Sequence, residues 1–405
     1  MRVTGARLRA ALLMVPLGLA MAACSTSGSA SGGSDTVKVG VISSITGTYA
    51  VQAADFRNGL EAGLNYLTKG TNTVDGRKIE ITYADDTGKP AVGIAKAKSM
   101  IASGATFLTG ITDSSIAIPV AQQAVQNNVI YLPGGSASYQ LTGMSPLVFG
   151  NANKNGSKIF PKLLGEGDLS SKRLAYVGQD YAYGQDTYTS LKAQIDPLGI
   201  ESTKHLLPTT TTNFTAVAAQ IKAENPDYIY SSWVGAGTDQ LFAALRAQGV
   251  FDTSRFVGYL ITRETYAAIG QALGPKGVEN ALFSLYYYPG FSGNDEEKFL
   301  ISWSEQRKHQ IEYDDPTGWN AAAMIVHAVQ TGGNDVKKMA SSLDDYTWTS
   351  PQGKVTMRAA DHAELTPQFA VRLTEGADGS WTPVLVKAYT PEEMETPVTD
   401  PIKRQ

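Results

Sequence analysis

The stretch Phe107–Ser138 reads FLTGITDSSIAIPVAQQAVQNNVIYLPGGSAS. A short apolar strand runs into a hydroxyl-rich turn. A helix follows, then a second strand, and a glycine- and hydroxyl-rich turn closes the unit. Both turns stand at the carboxyl ends of strands, where α/β sheets hold ligands. Neither turn carries a cysteine, a histidine or a base beside a nucleophile, so the pattern predicts a grip without chemistry.

The same rhythm extends to both sides. Upstream, TVKVGVIS is a β-branched strand, and AVQAADFRNGLEAGLNYL sets Phe56, Leu60, Leu64 and Leu67 at helical spacing. KIEITYADD reads as a strand and AVGIAKAKSMIASG as a helix stopped by glycine. After LVFGNANKNGS the alternation restarts. RLAYVGQD, a helix over residues 184–195, IESTKHLLP, FTAVAAQIKAE, PDYIYSSW, TDQLFAALRAQG and RFVGYL follow in turn. ALFSLYYYPG leads into two more helices, DEEKFLISWSEQRKHQ and WNAAAMIVHAVQ. The tail from GKVTMR onward alternates between turn residues and reads as hairpin strands.

Repeated βα units with short connections predict parallel sheets covered by helices on both faces. The expected fold is α/β, with two similar lobes, each a parallel-type sheet flanked by helices. The lobes are joined by a hinge of several crossings. Residues 36–151 with 286–347 are assigned to lobe 1, and 152–285 with 348–392 to lobe 2. Residues 393–405 form a polar tail. Such a hinge predicts closure over a small ligand between the lobes.

The chain has 405 residues, a formal net charge of −4, 42% hydrophobic and 18% charged residues. That is an ordinary globular composition, and the mild acidity argues against a nucleic-acid partner. Four scattered histidines and one cysteine do not make a zinc or iron–sulfur site. No metal and no cofactor is expected. Residues 1–23 read as an export signal: Arg2, Arg7 and Arg9 precede the apolar run ALLMVPLGLAMAA, which is short for a membrane span. Residues 24–35 are a Gly/Ser tether. The junction MAAC resembles the lipobox of bacterial lipoproteins, which implies lipidation of Cys24 and attachment to the outer face of the cytoplasmic membrane. Ordinary cleavage beside a free thiol is the other reading.

The order and spacing of VKVGVISSITGTYA, GLEAGLNYL, ITYADDTGKPAVGIAKAKSMI, TGITDSSIAIPVAQQAVQNNVIYLPGGSAS and QDYAYGQD resemble the branched-chain amino-acid type of solute-binding protein. This is the type I periplasmic-binding fold that serves ABC importers. The resemblance implies a monomer that delivers a small-molecule ligand to a permease and ATPase complex. It also implies that the turns after the third and fourth strands hold a ligand carboxylate. The matching residues are Ser114 with Ser115, and Gly135 with Ser136. Independently, a helix start favours an anion, and Gly134–Gly135 permits close approach of the backbone. A cap by Asp113 or Ser114 and a simple turn would explain the same residues.

Tyr49 in TGTYA, Tyr183 in YAYGQD and Trp233 at the end of YIYSSW are further cleft candidates. Asp85 and Asp86 read as a turn and cap, and Trp319 as helix core. Relatives that bind amino acids place an acid to pair the ammonium at the position matching Leu260. Its absence favours a hydrophobic or aromatic acid over a branched-chain amino acid, with Glu264 as the substitute partner in the second case. A hydrolase is the competing class, but GGSAS is not G-x-S-x-G, and the histidines at 205, 309, 327 and 362 are not read on strand-end turns. VGAGTDQ lacks the third glycine of a dinucleotide fingerprint. A ligand sensor on the same fold would need a partner for its output.

Overall fold

The computed structural model describes residues 36–151, 159–164, 167–259, 263–395, 398 and 401–402; Cys24 and Leu260 lie outside them. The first block comprises β1 (Thr36–Ser43), α1 (Ala50–Leu67), β2 (Thr73–Val74), β3 (Arg77–Asp85), α2 (Pro90–Ala102), β4 (Phe107–Thr109), α3 (Ser114–Gln126) and β5 (Ile130–Tyr131). Its sheet has the order β2-β3-β1-β4-β5, parallel except for β2. The sheet is covered on both faces, which explains why β1 is buried without a break from Val39 to Ser43. Val37, Val39 and Val41 share a core with Phe56, Leu60 and Leu64 of α1. Ile42 packs with Ile116, Val120 and Ala124 of α3 on the opposite face. Leu67, placed on the apolar stripe by spacing, is 37% exposed because α1 ends there.

The second block contains α4 (Ile159–Leu164), β6 (Arg173–Gln179), α5 (Ala182–Ile195), β7 (Glu201–Leu207), α6 (Thr215–Glu224), β8 (Tyr228–Ser231), α7 (Thr238–Ala247), β9 (Arg255–Tyr259), α8 (Tyr266–Asn280) and β10 (Leu282–Leu285). The chain then returns to the first block through α9 (Asp295–Gln306), α10 (Asp314–Gly332) and α11 (Val336–Ser341). It continues into β11 (Thr347–Ser350), β12 (Gly353–Arg358), β13 (Ala363–Leu365), β14 (Gln368–Glu375), β15 (Trp381–Tyr389) and α12 (Pro391–Met394). The second sheet runs β15-β14-β10-β9-β8-β6-β7, with β6 to β10 parallel and β14 and β15 added antiparallel at one edge. Strands β11 to β13 differ from the sequence-based assignment of residues 348–392 to lobe 2. They form their own antiparallel sheet, and Trp348, Val355 and Met357 enter the core of the first lobe. Only β14 and β15 join the second sheet.

Helix α10 is buried along most of its length and lies against α1, with the two backbones in near contact at Gly59 and Gly318. A Cβ on Gly59 would sit 1.7 Å from the carbonyl oxygen of Asp315, and one on Gly318 would sit 2.0 Å from that of Phe56. At the start of α10, Asp315 accepts hydrogen bonds from Asn58 Nδ2 at 2.6 Å and the Glu312 amide at 2.8 Å, and pairs with His309 Nε2 at 3.0 Å. Asp55 stands 3.5 Å from the same imidazole, and Glu312 bonds the Arg263 amide.

The bond to Asp315 raises the pKa of His309. Burial raises the carboxyl of Asp315 as well, but its three polar contacts favour the carboxylate, so the pair is held as imidazolium and carboxylate. A raised imidazole adds stability that is complete below its unfolded pKa of about 6.5. That stability is lost as pH rises through the folded value. Urea midpoints are therefore expected to fall between neutral and mildly alkaline pH, and His309→Gln is expected to flatten that slope. A wild-type slope identical to that of the variant would contradict the assignment.

Candidate ligand-binding site

A cavity lies between the two lobes at the carboxyl ends of their strands. Lobe 1 contributes Tyr49, Gln52, Thr112, Ser114, Gly135 and Ala137, and lobe 2 contributes Tyr181, Tyr183, Val234 and also Tyr286, which packs with Tyr230 and Tyr259 rather than in lobe 1, where the sequence-based boundary put it. Tyr313, at the start of α10, completes the lining. The cleft holds about 430 Å³ of atom-free space including its mouth. Side chains from the two lobes meet across it. Tyr49 and Tyr181 share a hydrogen bond at 3.0 Å across the lobes, and Tyr139 and Ser190 share another at 2.6 Å. Ser138 donates to Asp186 across the same boundary.

The turn after β4 places Ser114 at the first position of α3, 1% exposed, with its Oγ 3.0 Å from that of Ser136. Asp113 caps the helix, and its Oδ1 takes both the amide and the hydroxyl of Ser115. Ser115 therefore serves the cap and does not line the cavity, whereas Ser114 does. Ser136 stands behind Ser114 and orients its hydroxyl. Gly135 approaches Thr112 so closely that a Cβ would lie 2.7 Å from the threonine Oγ1. Gly134 packs on the backbone of Ile111, with a Cβ position 2.5 Å from its nitrogen. The two turns are thus pressed together, and only glycines fit between them.

Tyr49 and Tyr183 line the cavity as expected from their positions. Trp233 does not. Its indole donates to the Ala236 carbonyl at 2.9 Å and meets Phe214 edge-on at 4.8 Å, inside the core of lobe 2. Past the end of β8 the next residue, Val234, lines the cavity instead. Asp85 and Asp86 bind Thr46, Ser44 and local amides as a turn, and Trp319 is fully buried in α10. Leu260 and the side chain of Glu264 lie outside the described residues.

The sequence reading missed Gln52, Thr112, Ala137, Tyr181, Val234, Tyr286 and Tyr313. Gln52 had a usable signal, standing three residues beyond Tyr49 on the first turn of α1. Tyr286 and Tyr313 flank the crossing out and back, which sequence spacing alone does not align. Two polar atoms of lining residues are buried without a partner, Gln52 Oε1 and Thr112 Oγ1. Each such atom costs about 1–3 kcal/mol. Burial raises the pKa of every cavity tyrosine, to about 12 for Tyr183. Burial, and then the nearby charge of Asp113, raises Tyr49, and the same charge acts on Tyr181. None of the four histidines lines the cavity, and each is bonded elsewhere.

Two α/β lobes with a small polar–aromatic cavity between their strand ends define a solute-binding architecture. The chain belongs to the periplasmic binding protein family, whose model matches residues 36–379. It is similar to the Leu/Ile/Val-binding protein BraC3 of Rhizobium johnstonii, at 26% identity over 48% of this chain and 53% of that protein, so it spans about half the length of that relative. Among solved structures, an ABC-type branched-chain amino acid transporter protein from Rhodopseudomonas palustris superposes with TM-score 0.74 at 26% identity, covering 91% of this chain and all of that one. A solute-binding protein of an ABC transporter from the same organism, in complex with 4-hydroxybenzoate, gives TM-score 0.76 at 21% identity over 88% and 97%.

Proposed function

We propose that this solute-binding protein serves an ABC importer, captures a small carboxylate between its lobes and releases it unchanged. The observation that carries the reading is the composition of the cavity. The start of α3 supplies Ser114 beside Gly135, and tyrosines from both lobes close over the opposite side. Serine hydroxyls and main-chain donors at a helix start suit a carboxylate. Tyr49, Tyr181, Tyr183, Tyr286 and Tyr313 suit a hydrophobic or aromatic body. No charged side chain lines the cavity among the described residues, so a hydrophobic or aromatic acid is the favoured ligand. A branched-chain amino acid is the second reading, supported by the negative charge of Asp113 acting on Tyr49 and Tyr181. The names of similar proteins, which bind Leu/Ile/Val in one case and 4-hydroxybenzoate in another, support both members of this pair.

Titration calorimetry with L-leucine, L-valine, benzoate and 4-hydroxybenzoate separates the readings. Aromatic acids binding more tightly than either amino acid is the expected result. Tight L-valine binding with none for the aromatic acids would replace it by the second reading.

The partners under this proposal are a permease and ATPase pair, with the protein working as a monomer. Its place is the outer face of the cytoplasmic membrane, held by acyl chains on Cys24. Two acyl chains anchor stably at about 0.8 kcal/mol per buried CH₂. Cys24→Ala is expected to move folded protein from the membrane fraction to the soluble fraction, and its retention in the membrane would contradict the anchor.

A further inference from the structure

Gln52 is 2% exposed and sits in the first turn of α1, which delivers it into the lining of the interlobe cavity. Its Oε1 is buried and accepts no hydrogen bond. A buried carbonyl left in this state is rare, because native structures pair nearly all such atoms. Thr112 Oγ1, from the turn after β4, is in the same condition on the same cavity. Two orphaned oxygens from separate elements therefore belong to residues that line one cavity. An amide oxygen only accepts, whereas a threonine hydroxyl both donates and accepts. A bare carboxylate satisfies the hydroxyl but offers nothing to the amide oxygen.

We propose that Gln52 is a specificity-determining residue whose Oε1 accepts a hydrogen bond from the ligand, so the preferred ligand is a small acid bearing a second group with an O–H or N–H donor. This deepens the carboxylate reading and rests on it. A cavity that holds a buried acceptor rejects analogues lacking the matching donor far more strongly than it rejects a missing methylene. The donor is a hydroxyl if the ligand is a hydroxylated aromatic acid and an ammonium if it is an amino acid. Both meet the same oxygen.

Two matched pairs test the proposal by titration calorimetry: 4-hydroxybenzoate with benzoate, and L-leucine with 4-methylpentanoate. Wild type is expected to prefer the donor-bearing member of at least one pair by about a hundredfold or more. The pair that responds identifies hydroxyl or ammonium. Gln52→Met, similar in volume but without the acceptor, is expected to reduce the preference to about tenfold or less. Gln52→Glu, which keeps an acceptor oxygen, is expected to retain or raise the ratio, weakening most the member that lacks the donor. Equal binding of both members by wild type overturns the proposal, and so does a preference that survives intact in Gln52→Met. If Gln52→Met does not fold, the wild-type comparison and Gln52→Glu still decide. Failure of all four acids to bind wild type overturns the carboxylate reading itself, and this proposal with it.

Discussion

Gly318→Ala is expected to destabilise the protein by more than about 3 kcal/mol, although it adds a single methyl group. Two effects oppose each other. Alanine favours a helix over glycine by about 1 kcal/mol, which alone would stabilise α10. The new Cβ, however, would lie 2.0 Å from the Phe56 carbonyl oxygen and 2.6 Å from the Leu60 nitrogen, both backbone atoms of α1. Backbone cannot rotate aside as a side chain can, so the helices must separate and loosen the core that Leu60 and Trp319 fill. The clash dominates, and it removes a large part of a typical stability of about 5–15 kcal/mol. Gly59→Ala is expected to behave alike, since its Cβ would meet the Asp315 carbonyl at 1.7 Å. The double variant is expected to cost less than the sum, because one separation relieves both clashes. Urea unfolding measures all three, and a native midpoint for Gly318→Ala would mean that α1 and α10 do not approach so closely.

Ser114→Asp is expected to abolish ligand binding while the fold persists. The first turn of a helix accepts an acid, by about 0.3–1 kcal/mol, which offsets part of the cost of placing a charge at the buried Ser114 position. The ligand carboxylate would then face a like charge in place of a hydroxyl donor, beside the existing Asp113. At about 4 Å and an effective dielectric near 20, that repulsion is about 4 kcal/mol, roughly a thousandfold in affinity. Ser114→Ala, which removes only the hydroxyl, is the milder companion, expected to cost about 1.5–3 kcal/mol. Thermal melting establishes that both variants fold, and calorimetry reads the affinity. Binding by Ser114→Asp as tight as wild type would remove the carboxylate from the start of α3.

Much of this was legible in the chain. The strand Thr36–Ser43 and helix Ala50–Leu67 declare themselves because the strand is a short run rich in β-branched residues and an amphipathic helix is periodic. The turns at Ser114 and Gly135 were visible because strand-end turns rich in glycine and hydroxyl residues stand out from the apolar strands and helices beside them. Helix α8 was not read, since Gly274 and Pro275 break its pattern; Gly274 adopts φ +67 and interrupts the helical backbone. Its presence follows from physics all the same. Strands β9 and β10 are parallel, and parallel neighbours need a crossover between them. The tail misled for a different reason, because β11 to β13 and β14 to β15 have the same alternation yet pack in different cores.

Within the cavity, local pattern identified residues but not their facing. Tyr49 and Tyr183 were found, while Trp233 is turned into the core and its neighbour Val234 faces the cavity. Which of two adjacent residues points inward depends on how the strand leaves the sheet, and that is set by contacts distant in sequence. Gln52 and Tyr313 come together across more than half the chain, so no window of sequence could have joined them.

A cavity that recognises a carboxylate must lose affinity when that charge alone is removed. The most direct measurement is titration of one preparation with an acid and with its primary amide, which has nearly the same shape and lacks the carboxylate charge. With 4-hydroxybenzoate and 4-hydroxybenzamide, and with L-leucine and L-leucinamide, the acid is expected to bind at least about a hundredfold more tightly in the pair that binds, equivalent to about 2.8 kcal/mol. Acid and amide binding equally well, or the amide alone binding, would contradict the account.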